Sequence, residues 1–302
     1  MSIVEKNATD AVAIPSNFVN RHAPFDEALT LALAQGVQAA LAEDVGSGDR
    51  TGLLVPVDKR SVARVIVRES AVLCGAPWFD AVMAQVDSSI VVEWHCAEGD
   101  WMEVGGTVCT VKGPARALLT AERCALNFLQ LLSGVATKTR NYTNIVDGTT
   151  AVILDTRKTL PGLRLAQKYA VRVGGGQNQR LALYDGILIK ENHIVAAGGV
   201  REAMTAALAL NAGVSIQIEV ENLDQLAQAL DAGATSILLD NFDLALMREA
   251  VRQTSGRALL EASGGVDVET VLAIAQTGVD RISIGSLTKD VEATDFSLRI
   301  VE

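Results

Sequence analysis

The chain has 302 residues, of which 49% are hydrophobic, and its formal net charge is -10 at pH 7. This length allows about two domains with a substantial core, and the acidic balance argues against the basic face that a nucleic acid would need. No run of about 18 apolar residues is present, so no membrane span is predicted. The four cysteines form no CxxC pair and have no histidines at zinc spacing, which predicts free thiols in a cytoplasmic protein.

The first part of the chain combines short strands with helices. Residues 1–22 lack the apolar run of a secretory signal and are predicted to form a loose leader. Helical patterns follow at 26–43 and 77–86. Apolar stretches bounded by turn residues predict short strands at 63–67, 72–74, 90–94 and 107–111.

A longer helix is predicted from Leu118 to Ser133, because apolar residues recur there along one helical face. Thr120 is expected to cap its start. Arg123 would then lie in the first turn, where the helix dipole disfavours a cation. A cation in such a position is either solvated or available to a ligand or a partner subunit.

The C-terminal half repeats a unit of strand, helix and glycine about every 20 to 35 residues, which is typical of right-handed βα units. Continuous apolar runs predict strands buried on both faces at 152–154, 187–189, 214–218, 237–239, 258–260 and 282–284. Helical patterns lie at 200–210, 222–231, 243–254 and 267–277, and the glycines suited to end them are Gly213, Gly233, Gly256 and Gly278. These units predict a parallel α/β barrel that has fewer strands than a complete one.

Charged residues follow nearly every predicted strand of this barrel. The carboxyl ends of parallel strands gather on one rim, where the active sites of such barrels are built. The cations of the stretch between Asp155 and Lys190 are Arg157, Lys158, Arg164, Lys168, Arg172, Arg180 and Lys190. A local group of cations in an acidic protein indicates a small polyanionic ligand.

The cations differ in how directly they are expected to reach the rim. Arg157 and Lys158 come directly after a strand, and the planar fork of arginine suits a carboxylate or phosphate. The glycine run 174–176 allows close approach of backbone to a ligand, with Gln179 and Arg180 closing that loop. Lys190 has two interpretations, a Schiff-base nucleophile or a positive charge for an anion, and its cationic surroundings favour the second.

Carboxylates and small residues complete the rim. Glu219 and Asp240 end successive strands and either hold Mg²⁺ together with substrate phosphates or accept hydrogen bonds from ribose hydroxyls. The stretches Ser263-Gly264-Gly265 and Gly285-Ser286 follow the last two strands, where phosphate sites are often built from backbone N–H groups. Together these groups predict a phosphorylated sugar with a polyanionic leaving group and a second, carboxylated substrate.

Several stretches resemble the quinolinate phosphoribosyltransferase family, also called carboxylating nicotinate-nucleotide pyrophosphorylases. The likeness runs from about Ala42 to Leu298. In chain order the matching stretches are EDVGSGDRT from Glu43, LLTAERCALNFLQLLSG from Leu118, DTRKTLPGLR from Asp155, KYAVRVGGGQNQR from Lys168, LIKENH from Leu188, EVEN from Glu219, LLDNF from Leu238 and SGG from Ser263. Their order and spacing make the resemblance highly specific.

The resemblance implies a fold and a reaction. The fold is an N-terminal α/β sandwich domain over 23–130, onto which residues 289–302 pack back, and a C-terminal incomplete α/β barrel over 131–288. The reaction converts quinolinate and phosphoribosyl pyrophosphate to nicotinate mononucleotide, pyrophosphate and carbon dioxide with Mg²⁺, in de novo NAD biosynthesis. A homodimer, or a higher assembly of it, with active sites at the subunit interface is also implied.

The same resemblance implies roles for individual residues. Quinolinate carboxylates would be bound by Arg157, Lys158, Arg180 and, from the neighbouring subunit, Arg123. Gln179 would also belong to the substrate-binding residues, and Lys190 would lie near both substrates. Lys158, Lys190, Glu219 and Asp240 would serve catalysis, the two carboxylates serving ribose and metal, and the 5-phosphate would be held by Ser263, Gly264 and Gly285.

The chain departs from the family pattern at Gln179, where the family commonly has histidine. Glutamine donates hydrogen bonds but cannot become cationic. This difference leaves open a related phosphoribosyltransferase-like paralogue with another ligand. A Schiff-base lyase that uses Lys190 is the alternative from a different class of enzyme.

Overall fold

The computed structural model describes residues 26–301, which form two compact units. The predicted leader over residues 1–22 lies outside the described residues. The first unit contains the residues up to Lys138, the segment Leu160–Gly174 and the residues from Val291 onward, and the second contains Thr139–Thr159 and Gly175–Asp290. Among the described residues, no helix is both long enough and apolar enough to span a lipid bilayer.

The elements are numbered in chain order. The first are α1 Glu27–Asp44, a short 3₁₀ helix Gly52–Leu54, β1 Arg60–Val67, β2 Ala71–Val72, α2 Ala76–Val86, β3 Val91–Trp94, β4 Trp101–Met102, β5 Thr107–Pro114, α3 Ala115–Ile145, β6 Val152–Leu154 and α4 Arg164–Val173. They are followed by β7 Gly186–Ile189, α5 Glu191–Ala197, α6 Val200–Ala209, β8 Ser215–Val220, α7 Leu223–Asp231, β9 Ser236–Asp240, α8 Leu244–Thr254, β10 Leu259–Ser263, α9 Val271–Ala275, β11 Arg281–Ser283, α10 Ser286–Lys289 and β12 Phe296–Ile300.

The first unit is built on an antiparallel sheet in the order β12-β1-β5-β3. Strand β1 alternates buried and more exposed residues, and Ala63, Val65 and Val67 are fully buried. Val65 lies opposite Cys109 of β5 on one side and Leu298 of β12 on the other. This period of two places one face of the sheet in the core, and the C-terminal strand β12 completes the sheet that the early strands begin.

The second unit is a six-stranded parallel sheet in the order β6-β11-β10-β9-β8-β7. Its two outermost strands, β6 and β7, do not pair with each other, and a single parallel bridge joins Leu154 of β6 to Gln177 in the loop before β7. The sheet is therefore an incomplete barrel. The predicted α/β class, a sheet-and-helix first part followed by an incomplete barrel, is confirmed.

Local signals set the ends of the barrel helices. The side chains of Asn222 and Asp243 accept backbone N–H groups in the first turns of α7 and α8. Beyond the ends of these helices, Gly233 and Gly256 have φ of +84° and +76°. The prediction that these glycines take the left-handed conformation after a helix is confirmed, since glycine pays no steric penalty there.

The predicted limits of α3 were wrong. The helix begins at Ala115 and ends at Ile145, so Thr120 lies inside it. The Thr120 hydroxyl donates to the carbonyl oxygen of Arg116, one turn back, and is also 2.9 Å from Asp49 Oδ2. Arg123 consequently lies in the third turn, where the dipole of the helix start no longer acts on it. The strand β5 runs directly into the helix, which left no turn residue to mark its start.

Two buried carboxyl groups lie in the first unit. Glu98 is fully buried and accepts the backbone N–H groups of Gly75 and Ala76, at the start of α2. Asp80 accepts the indole N–H of Trp94 at 3.0 Å. Burial raises the pKa of each group to about 7. Both side chains therefore disfavour the ionised form in the folded protein.

We expect Gly134→Ala to destabilise the first unit. A Cβ at Gly134 in α3 would collide with the backbone carbonyl oxygen of Glu292, which cannot rotate away. The cost of such overpacking is about 1–3 kcal/mol. The matched control is Gly36→Ala in α1, where the Cβ would lie 3.9 Å from the ring of Phe128, an ordinary contact. In urea titrations, the midpoint of the Gly134 variant should lie at a lower urea concentration than that of the wild type. The midpoint of the control should lie at an equal or higher concentration than that of the wild type. Equal shifts of the two variants would contradict the expectation.

We expect the stability difference between Asp80→Asn and the wild type to depend on pH. Because the pKa of Asp80 is raised to about 7 in the folded state, its stabilising contribution is fully present below the unfolded pKa of about 4 and is lost as pH rises through the folded pKa. Asparagine retains an oxygen for Trp94 but never ionises. The free energy of unfolding of the variant should therefore rise relative to that of the wild type between pH 5 and pH 8. The upper limit of this rise is about 1.4 kcal/mol per unit of pKa difference between the folded and unfolded states. Urea midpoints at these two pH values measure the effect, and a difference independent of pH would contradict it.

Candidate active site

A cavity of about 390 Å³ lies at the carboxyl ends of the parallel strands, within the second unit. Its wall is formed by residues of the strands and of the segments that follow them, and these are Thr156, Arg157, Lys158, Gln179, Arg180, Leu188, Lys190, Glu219, Leu238, Asp240, Glu261, Ser263 and Ser283. The wall includes every charged residue of this unit to which the sequence prediction gave a site role. The parallel sheet brings them together because every one of its strands ends on the same side.

The strand residues of the wall alternate along the chain. Pairs two residues apart face the same cavity, as in Leu188 and Lys190, Leu238 and Asp240, and Glu261 and Ser263. Successive side chains of a strand point to opposite faces. The cavity therefore has a charged and polar rim with a second layer of side chains beneath it.

Two arginines share the cavity without a carboxylate partner among the described residues. Arg157 forms no ion pair with any residue that the structure describes, and its buried Nε has no hydrogen-bond partner there. Burial, and next to it the charge of Arg157, lowers the pKa of Arg180. Two guanidinium groups that repel each other in a half-enclosed cavity are an arrangement that an anionic ligand would relieve.

Lys190 is held differently. Its ammonium group lies 3.1 Å from Glu219 Oε2, and Glu219 is largely buried. Burial raises the pKa of Glu219, and the contact with Lys190 opposes that rise. The backbone N–H of Lys190 donates to Nδ1 of His193, so the residue also fixes the start of α5. Lys190 is thus a positioned cation at the end of β7.

The loop that carries Arg180 is fixed by a fully buried aspartate. Asp155, at the end of β6, accepts the backbone N–H of Gln179 at 2.9 Å and the side-chain amide of Asn178 at 2.6 Å. Arg180 then donates through Nη1 to the carbonyl oxygen of Gly186, at the start of β7. These contacts hold the Arg180 guanidinium at the cavity wall.

Of the predicted phosphate-binding residues, Ser263 lines the cavity, whereas Gly264 and Gly285 are not part of its wall and lie next to residues that are. Gly264 has φ +105°, and a Cβ there would collide with the side chain of Asn241. A Cβ at Gly285 would lie 3.0 Å from Cδ of Lys158. The backbone carbonyl of Lys158 accepts the hydroxyl of Thr288 at 2.7 Å. Both glycines therefore keep space that a larger residue would take, and Gly285 leaves that space to Lys158.

Two carboxylates are available for a hard cation. Glu219 and Asp240 both line the cavity, and Asp240 raises the pKa of Glu219. Asn241 donates to Asp240 Oδ2 at 2.9 Å, which orients that carboxylate. No group of three or more metal-binding side chains is found in the described part of the chain. One or two carboxylates are nevertheless the protein share of a typical Mg²⁺ site, so this pair fits that ion when substrate phosphates complete its shell.

Some predicted residues are not part of this cavity. Arg164, Lys168 and Arg172 lie on α4, which belongs to the first unit, and Arg123 is an exposed residue of α3 in that same unit. Conversely, the wall includes residues to which the sequence prediction gave no site role, namely Thr156, Leu188, Leu238, Glu261 and Ser283, although Glu261 was expected at the rim because it follows a predicted strand. Strand parity contained the signal for several of them, because each of Leu188, Leu238 and Glu261 stands two residues before a predicted rim residue.

Comparisons with known proteins place this geometry in a family. Residues 49–133 match the N-terminal domain of quinolinate phosphoribosyl transferase, and residues 135–299 match its C-terminal domain. The probable nicotinate-nucleotide pyrophosphorylase (carboxylating) of Bacillus subtilis (strain 168) is 39% identical over 259 residues, which cover 85% of this chain and 90% of the relative. Quinolinate phosphoribosyltransferase (decarboxylating) 2b, mitochondrial, of Nicotiana tabacum is 39% identical over 292 residues, covering 90% of this chain and 83% of the relative.

Solved structures agree with the sequence comparisons. The nicotinate-nucleotide pyrophosphorylase from Francisella tularensis superposes with a TM-score of 0.87 at 43% identity, covering 89% of this chain and 96% of that chain. The family matches cover both units, and the relatives are matched over most of their own length. The chain therefore belongs to the quinolinate phosphoribosyltransferase family.

Proposed function

We propose that the protein is a carboxylating nicotinate-nucleotide pyrophosphorylase, a pentosyl-transferring glycosyltransferase of NAD biosynthesis. It converts quinolinate and phosphoribosyl pyrophosphate to nicotinate mononucleotide, pyrophosphate and carbon dioxide. Family membership supports the reaction. The observation that carries it in this chain is the cavity that Arg157 and Arg180 share with no carboxylate paired to either among the described residues.

Quinolinate supplies the missing negative charge. Its two adjacent carboxylates suit the planar donors of Arg157 and Arg180, with Lys158 and Gln179 on the same wall. A substrate with one carboxylate would leave one of these cations without a counter-charge. This arrangement therefore favours a dicarboxylate.

The phosphoribosyl group is assigned to the remaining residues of the rim. Ser263, Gly264 and Gly285 are proposed to hold the 5-phosphate, and Glu219 and Asp240 to accept ribose hydroxyls or Mg²⁺. When bound, Mg²⁺ would neutralise charge that develops on the departing pyrophosphate. Lys158 and Lys190, which line the same cavity, add positive charge and need no proton transfer to do so.

The chemistry asks mainly for placement and charge. As pyrophosphate leaves, the pyridine nitrogen bonds to the anomeric carbon and becomes positively charged. The bond to the 2-carboxylate then breaks, its electron pair stays on the ring carbon beside that nitrogen, and the carbon takes a proton from water. Arg157 and Arg180 hold the ring so that its nitrogen, rather than a carboxylate, faces the sugar.

The alternatives have less support. A Schiff-base nucleophile must present a neutral amine, whereas Lys190 is ion-paired with Glu219. The paralogue with another ligand rested on Gln179 alone, and the contacts of that side chain with Gln217 and the backbone of Arg180 favour no different substrate class.

Assembly and location are further proposals. We propose a homodimer in which the exposed Arg123 of one subunit completes the cavity of the other. All four cysteines are free thiols, as is typical of proteins from reducing compartments, and on that ground we propose a cytoplasmic location.

We expect a strong preference for quinolinate over nicotinate. Losing one charged hydrogen bond costs about 1.5–3 kcal/mol, so kcat/KM for nicotinate should be lower by roughly 10- to 100-fold or more. Arg157→Gln should lower kcat/KM for quinolinate by a similar factor. The matched control is Arg248→Gln, which removes an exposed arginine of α8 and the same charge. Assays of nicotinate mononucleotide formation measure all of these, and equal turnover of both substrates would refute the assignment.

We expect Arg123→Ala and Arg157→Ala to complement each other when subunits exchange. Each variant alone should be nearly inactive. Random mixing makes about half of the dimers hybrid, and each hybrid regains one complete site, so about a quarter of wild-type activity should return. Inactive mixtures whose hybrids are confirmed by native mass spectrometry would rule out a site shared between subunits.

A further inference from the structure

Three side chains form a chain of hydrogen bonds beneath the cavity. Gln179 donates through Nε2 to Gln217 Oε1 at 2.7 Å, and Gln217 donates through Nε2 to Glu261 Oε2 at 2.8 Å. Gln217 and Glu261 are buried, with 7% and 1% of their surface exposed. The proposed reaction assigns no step to either residue. Their burial in a hydrogen-bonded series that reaches the cavity nevertheless connects them to it.

The direction of the whole series is set at its two ends. At one end, the backbone N–H of Arg180 can only donate, and it donates to Gln179 Oε1 at 2.6 Å. At the other end, the Glu261 carboxylate accepts. Each amide between them must present its oxygen toward Arg180 and its nitrogen toward Glu261. Only one orientation of both glutamines satisfies all three contacts.

The series also lies between two cavities. Gln179 and Glu261 line both the cavity described above and a second one, of about 450 Å³, that reaches residues at the amino ends of the strands, whereas Gln217 lines the second one. The three side chains therefore form a shared wall, the floor of the substrate cavity. Glu261 Oε1 has no hydrogen-bond partner in the described chain, so its link to Gln217 is the contact that orients the buried carboxylate.

We infer that Gln217 and Glu261 are positioning residues for recognition of the dicarboxylate substrate. They orient the Gln179 amide, and that amide holds the backbone of Arg180, whose guanidinium lines the cavity. This inference rests on the proposed function. It assigns to Gln179 an action through Arg180, in addition to any contact with the substrate.

Substitutions between glutamine and glutamate test this inference, because they exchange an amide nitrogen for a carboxylate oxygen and hardly change the volume of the side chain. Gln217→Glu places a second carboxylate against Glu261 and removes the donor that the series needs. The double variant Gln217→Glu with Glu261→Gln restores every bond, because the carboxylate at position 217 then accepts from the amides at positions 179 and 261. The matched control is Gln228→Glu, which adds the same charge on an exposed position of α7.

We expect Gln217→Glu to raise KM for quinolinate about 10-fold, the effect of losing a buried hydrogen bond. KM for phosphoribosyl pyrophosphate should change less than about 2-fold, since the series contacts the arginine side of the cavity. The double variant should return to within about 3-fold of the wild-type KM for quinolinate, and the control should equal the wild type. Gln217→Met removes the amide without adding a charge and should show the same rise in KM for quinolinate alone. If Gln217→Glu does not fold, this variant tests the inference in its place.

Three outcomes would overturn the inference. They are an unchanged KM for quinolinate in Gln217→Met, equal rises in both KM values, or a double variant as impaired as Gln217→Glu. Failure of the wild type to turn over quinolinate is a separate outcome. It would overturn the proposed function, and the inference with it.

Discussion

Two arginine side chains that are held in one cavity, with no carboxylate paired to either among the described residues, are the constraint on which the second unit depends. Arg157 and Arg180 repel each other inside one cavity, in a chain whose formal net charge is -10. Such an arrangement persists only where the surrounding backbone is strongly determined. Buried Asp155 fixes the loop before Arg180, and Gly186 and Thr288 bind Arg180 and the backbone of Lys158. These contacts preorganise the site for anions, which lowers the entropic cost of ordering side chains when a ligand binds.

The incomplete barrel makes this preparation possible. Because β6 and β7 do not pair, the loop 174–185 lies between them, with Gln177 bridged to Leu154. The barrel interior beneath the rim is polar rather than wholly apolar, with Gln217 and Glu261 buried in it. Polar groups buried in this way depend on one another for hydrogen bonds, and those bonds also give them one orientation. The hydrogen bonds of the floor, formed by Gln179, Gln217 and Glu261, therefore also orient Arg180 at the rim.

Sequence reasoning succeeded where a local pattern sufficed. The continuous apolar runs predicted parallel strands at nearly the observed positions, and charged residues directly after them were correctly expected to gather at one edge. Lys190, Glu219 and Asp240 all line the observed cavity. The predicted start of α3 was wrong because β5 passes into the helix without a turn or a capping residue. Helix α9 was predicted over 267–277 and is shorter, Val271–Ala275, because Asp267 forms a turn with its own following backbone instead.

The sequence by itself determined the α/β class, the rim position of residues after each strand and, through its motifs, the family. These depend on periods of two and 3.6 residues and on short spacings, which are properties of neighbouring residues. Only the tertiary structure decided which cations share a cavity, separating Arg164, Lys168 and Arg172 on α4 from Arg157 and Arg180. It also decided the pairing of Lys190 with Glu219 and of Gln179 with Gln217. Each of those contacts joins β8 to a residue from another part of the chain, the loop before β7 or the end of β7. The strand order and register that bring them together are fixed by packing of the whole sheet rather than by any local stretch.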